Sequence, residues 1–131
     1  MIVLDSNVWI GLFHESDTLH KRALAVFQDH KPPYCIPEYV LIEVSTILAQ
    51  KAGMQIARTF VEMVFDNRDC TVLVADESFC RGVANAFVRE EKAGLSFVDI
   101  SLVVLAKRYE AITFDIQLAR RIKKMRDTKT L

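Results

Sequence analysis

The chain has 131 residues, 51 % hydrophobic and 26 % charged, with a formal net charge of zero. That size suits one domain, 1–131, around one core, and the composition excludes a disordered chain. No run of about 18 apolar residues occurs, because Asp99 interrupts the longest candidate, 95–106, so no membrane span is expected.

The apolar start Met1 to Leu4 is too short for a signal segment and runs into Asp5, which predicts a cytoplasmic protein. Cys35, Cys70 and Cys80 show no CxxC spacing, and His14, His20 and His30 no i, i+4 pair; neither a disulfide framework nor a histidine zinc site is indicated. The zero net charge hides an asymmetry: residues 107–131 hold eight Lys or Arg against three acids, and residues 1–106 nine against fourteen. An acidic site beside a basic rim fits that split.

In chain order, Ile2-Val3-Leu4 reads as a strand, followed by Asp5 and by Ser6 or Asn7 as N-cap of a helix through Phe13. Asp17-Thr18 would cap a second helix that stops before Pro32-Pro33, and Tyr34-Cys35-Ile36 forms the next strand. Pro37 suits a first helical turn, with helices over 38–51 and 54–65 separated by Gly53. Strand 71–74, a helix over 76–92, a helix over 98–108, strand 111–114 and a basic helix over 115–126 complete the series. Alternating strands and helices predict an α/β fold with a mainly parallel sheet covered on both faces.

Asp5 and Asp115 each follow an apolar strand, at the carboxyl edge where open α/β sheets place ligands. Each also suits a helix N-cap. Glu43 shares a helical face with Tyr39, Val40 and Ile47, where an unpaired carboxylate costs several kcal/mol, so a buried ion pair or a bound cation is expected. Asp99 interrupts the most apolar stretch of the chain, as a cap for the following helix or as a ligand. Four converging carboxylates raise one another's pKa unless a hard cation, magnesium or manganese, neutralises them. Such a site suits phosphodiester hydrolysis.

Val3-Leu4-Asp5-Ser6-Asn7, the Glu43 helix, Leu95-Ser96-Phe97-Val98-Asp99 and Thr113-Phe114-Asp115 together resemble the PIN-domain nucleases, most closely the VapC-type toxins. The resemblance spans nearly the whole chain. It implies a PIN-like fold with a central sheet of four or five short strands, and a magnesium- or manganese-dependent endoribonuclease. Asp5, Asp99 and Asp115 would ligate metal, Glu43 directly or through water, with Ser6 and Thr113 as supporting hydroxyls. It also implies an RNA substrate, a cognate antitoxin and a homodimer.

Tyr39, Leu41, Ile42, Phe60, Val61, Val64 and Phe65 exceed what one core stripe needs, which marks the helical pair 38–65 as a partner surface or as extra core. Arg89, Lys92, Arg120 and Arg121 are candidate RNA contacts, and basic residues in a terminal helix also simply complement its dipole. Asn7 in place of an acid two residues after Asp5 disfavours an aspartyl phosphatase. The remaining alternative is a non-catalytic RNA- or protein-binding module on a PIN-like scaffold.

Overall fold

A computed structural model describes residues 1–130, with side chains described through Thr128. Strands β1 (Ile2–Leu4), β2 (Tyr34–Pro37), β3 (Cys70–Leu73) and β4 (Glu110–Ile112) form one sheet in the order β3-β2-β1-β4. Every neighbouring pair is parallel. Parallel neighbours require crossovers. These are α1 (Ser6–Phe13) with α2 (His20–Asp29), α3 (Glu38–Lys51) with α4 (Met54–Asp66), and α5 (Glu77–Arg89) with α6 (Phe97–Leu105); α7 (Ile116–Thr130) follows β4.

Side-chain alternation along the strands divides the core between the two sheet faces. Leu4, Tyr34 and Ile36 point into a cluster with Trp9, Val44, Leu48 and Phe60 from α1, α3 and α4. Val3 and Cys35 point the other way, against Leu102, Leu105, Leu118 and Ile122 of α6 and α7. Trp9 holds the first cluster through edge-on contacts to Phe27, Tyr34 and Phe60, with centroids 5.2, 5.8 and 5.8 Å away. Each such pair contributes about 0.5–1.5 kcal/mol beyond area burial.

Gly53 joins α3 to α4 at φ 101°, and its N–H donates to Leu48 O across 2.9 Å. A side chain is strained in that conformation, which is why the break between the two helices falls at a glycine.

Several expected boundaries move. Asp5, not Ser6 or Asn7, is the N-cap of α1, its carboxylate accepting from Ser6 N. Pro37 ends β2 rather than opening a helical turn, since its ψ of 141° is extended. Asp17 bonds Leu19 N, one turn ahead of α2, which begins at His20. Helix α5 stops at Arg89, helix α6 spans 97–105 rather than 98–108, and β4 stops at Ile112, leaving Thr113 and Phe114 in the loop before α7. The 38–65 pair is partly core: Phe60 and Val64 are buried, while Ile42 and Phe65 remain 62 % and 64 % exposed.

Candidate active site

Strand β1 lies between β2 and β4, and the chain leaves β1 into α1 on one face of the sheet and β4 into α7 on the other. This is a topological switch point, where the loops after adjacent parallel strands part and open a crevice. Leu4 is in register with Ile112, which sets the residues after each strand side by side. The chain places Asp5 on one loop and Thr113 to Asp115 on the other.

The two loops are hydrogen-bonded together. Thr113 Oγ1 donates to Asp5 Oδ2 at 2.7 Å and accepts from Asp115 N at 3.0 Å and Asn7 Nδ2 at 3.3 Å. Asn7 Oδ1 accepts from Phe114 N at 3.2 Å, so one asparagine clasps α1 to the β4–α7 loop. Asp5 Oδ1 accepts from Ser6 N at 2.8 Å and Ser6 Oγ at 3.3 Å. Both expected supporting hydroxyls, Ser6 and Thr113, thus touch Asp5.

Asp5 is 7 % exposed. Burial pushes its carboxyl above the ordinary 3.8, the hydrogen bonds from Thr113 and Ser6 pull it back, and the negative charges of Asp99 and Glu43 push it up again. Those two carboxylates therefore share its neighbourhood, whereas Asp115 is tied in by its backbone N–H, which Thr113 holds, and its charge is not among those that act on Asp5. The ion pairs among the described residues join His30–Glu110, Arg81–Glu77 and Arg121–Glu90, and none reaches these four acids.

Glu43 departs from expectation. It is exposed, because the buried stripe of α3 is Val40, Val44 and Leu48, and Glu43 stands one residue, about 100° of helix, off it. Its charge acting on Asp5 is what links it to the site; being exposed, it bears no cost of burial in an apolar face and needs no buried ion pair.

Asp99 and Asp115 are also caps. Asp99 Oδ2 accepts from Ser96 N at 2.9 Å while Ser96 Oγ accepts from Asp99 N at 3.0 Å, a capping box on α6. Asp115 Oδ1 accepts from Leu118 N at 3.0 Å at the start of α7. Among the described residues no group of three or more acidic, histidine or cysteine side chains is arranged so that it could hold a metal ion. The donor set nevertheless fits a hard divalent cation, because a buried carboxylate faces two like charges and no cationic partner, and all its neighbours offer oxygen.

Beneath the acids, Tyr39 of α3 meets Ser101 of α6 with 2.5 Å between oxygens. Ser101 Oγ donates its one proton to Val98 O, so Tyr39 O–H is the donor. Desolvation pushes the Tyr39 pKa up to about 12, against the lowering effect of the Ser101 hydrogen bond. Neither this link nor the Asn7 clasp was anticipated from the sequence; a polar residue just past a post-strand aspartate was the available signal for Asn7.

Arg89, Lys92, Arg120 and Arg121 line one groove of about 460 Å³ with Lys124, Glu90 and Glu91. Its two walls, the stretch after α5 and the middle of α7, lead respectively to Asp99 and back to Asp115. Arg121 is partly committed, its Nε donating to Glu90 Oε2 at 2.9 Å. A second, more apolar groove of about 610 Å³ runs between α3 and α4, lined among others by Thr46, Ala49, Met54, Arg58 and Val61.

The PIN domain family matches residues 2–124 of the chain. Among solved structures, the chain is similar to VapC20 of Mycobacterium tuberculosis, described as a toxin that cleaves the sarcin–ricin loop. The TM-score is 0.79 at 21 % identity, over 92 % of this chain and 94 % of that one. No curated protein matches the chain in sequence.

Proposed function

The chain belongs to the PIN-domain family, a family of nucleases, and from that premise we propose that it is a magnesium- or manganese-dependent endoribonuclease. The observation that carries this reading is Asp5: a buried carboxylate at the sheet's switch point, whose charged neighbours are Asp99 and Glu43 and whose hydrogen-bond partner Thr113 also holds the Asp115 backbone.

In this reading Asp5, Asp99 and Asp115 hold the cation, with Glu43 reaching it directly or through water. A bound magnesium or manganese ion supplies the Lewis acidity and charge neutralisation that phosphodiester hydrolysis needs. Thr113 and Ser6 fix the orientation of the Asp5 carboxylate, and Asn7 fixes the loop bearing Asp115. Arg89, Lys92, Arg120 and Arg121 hold the RNA backbone beside the acids, with the last of these sharing its charge with Glu90.

We extend to the whole of residues 1–131, as one domain, the role of a cytoplasmic toxin. The fold likeness to VapC20 supports it, and no helix among the described residues is long and apolar enough to cross a membrane. Such a toxin entails a protein antitoxin and a second copy of the chain as partners. Exposed Ile42, Met54 and Phe65 around the α3–α4 groove offer apolar surface for them.

The test is cleavage of a mixed structured and single-stranded RNA pool by wild type and Asp99→Asn in manganese, magnesium or chelator. Metal-dependent products from wild type alone are expected. RNA that is bound but left intact in every metal would replace the enzyme with a non-catalytic binding module on the same scaffold.

A further inference from the structure

A cation stands on the loop that carries Asp115, away from the basic groove. Arg22 of α2 is exposed and holds its guanidinium carbon 4.6 Å from the centroid of the Phe114 ring. No ion pair among the described residues engages it. Phe114 is half-buried against the core of the α1–α4 face, its N–H is held by Asn7, and it lies between Thr113 and Asp115. The seat of Arg22 therefore belongs to the hydrogen-bonded hub that fixes Asp5.

A guanidinium over an aromatic ring spends its face on that ring and keeps its N–H donors at the rim, where they match two phosphate oxygens at once. The two basic features lie on different sides of the sheet. Phe114 packs with the cluster containing Leu4 and Ile36, whereas α7, which forms one wall of the basic groove, sends Leu118 and Ile122 into the cluster containing Val3 and Cys35. The carboxylates lie at the edge between them and by themselves repel a polyanion.

We propose that Arg22, seated on Phe114, grips a phosphate of single-stranded RNA on the opposite side of the carboxylate edge from the α5–α7 groove, so that the RNA backbone crosses that edge from one sheet face to the other. This rests on the ribonuclease reading and assigns the substrate a path. Arg22 binds the substrate and contacts no metal, so its loss acts on KM and on RNA affinity.

The experiment is fluorescence anisotropy of a labelled, mixed-sequence single-stranded RNA against wild type, Arg22→Ala and Arg22→Lys, in chelator, over a series of salt concentrations. A lost phosphate contact lowers the slope of log affinity against log salt by about 0.7 for single strands. Arg22→Ala is expected to show that loss and to keep the wild-type rise in melting temperature with manganese. Arg22→Lys should keep the slope without recovering the full affinity. Wild-type slope and affinity in Arg22→Ala, or no RNA binding by wild type in chelator, would overturn the proposal alone, while a wild type that cuts no RNA in manganese or magnesium would overturn the ribonuclease reading and this path with it. Should Arg22→Ala fail to fold, Arg22→Gln, which removes the charge at similar length, carries the same comparison.

Discussion

Thr113 Oγ1 donates to Asp5 Oδ2 across 2.7 Å, joining residues 108 positions apart. The same oxygen accepts from Asn7 and from the Asp115 backbone, so Thr113→Val keeps the shape and removes all three bonds. A cost of about 1–3 kcal/mol in urea unfolding is expected. Manganese affinity should fall about 10- to 100-fold as the carboxylate loses its orienting partner, with Thr113→Ser restoring both. Wild-type metal affinity in the valine variant would show that this hydroxyl does not position Asp5.

The raised Asp5 pKa fixes the sign of a pH effect. In metal-free protein its contribution to stability is fully present below the unfolded value near 3.8 and is lost as pH rises through the higher folded value, because the unfolded chain releases its proton first. Cation binding needs the carboxylate, so stabilisation by manganese grows over the same window. Carbon-13 NMR of the Asp5 carboxyl in chelator should give a midpoint above 3.8, and Asp99→Asn should move it down. A midpoint at or below 3.8 in wild type would contradict the burial of this carboxylate, and an unmoved midpoint in Asp99→Asn its crowding by Asp99.

Asp99→Asn separates the two duties of Asp99. Its side-chain oxygen can still cap α6, and the helix dipole's attraction for an anion there is worth about 1 kcal/mol or less. Stability in chelator should therefore stay within about 1 kcal/mol of wild type. Wild type should gain about 2.7 kcal/mol from manganese at roughly a hundredfold excess over Kd, and the variant should lose most of that gain. A large loss in chelator, with the manganese gain intact, would make Asp99 a structural cap and nothing more.

Tyr39→Phe removes the donor to Ser101 and strands no buried proton, since Ser101 Oγ still donates to Val98 O. Destabilisation of about 0.5–1.5 kcal/mol is expected. Ultraviolet titration of wild type should show one tyrosine resisting ionisation until about pH 12, a transition missing from the variant. Three tyrosines with ordinary midpoints would argue against its burial.

Lys92→Glu with Arg120→Glu places two anions in the α5–α7 groove. RNA cleavage should slow through a higher KM, while the rise in melting temperature with manganese stays as in wild type. Unchanged KM would remove the groove from the substrate path.

The strands and helices were legible because hydrophobic runs and Gly53 punctuate them, and the positions of Asp5 and Asp115 followed from their place after strands. Glu43 misled because α3 is apolar on more than its buried stripe; Ile42, next to Glu43, is exposed, so i, i+3 and i, i+4 spacing alone did not select the inward face. The Asn7 clasp, the Tyr39–Ser101 link and the Arg22 seat were illegible because each joins elements far apart in sequence through a single side-chain contact. The basic groove was visible only as scattered charges until the turn after α5 came to lie along α7.

Strand β4 follows the other three strands in the chain and pairs only with β1. A ribosome-bound chain that has not yet released residue 115 has β1 with one edge bare, and the Asp5 carboxylate has no Thr113 to hold it. A chain cut before β4 thus keeps Asp5 but loses both the hydroxyl that orients it and Asp115 across the crevice: the edge is completed only by a pairing between segments far apart in sequence.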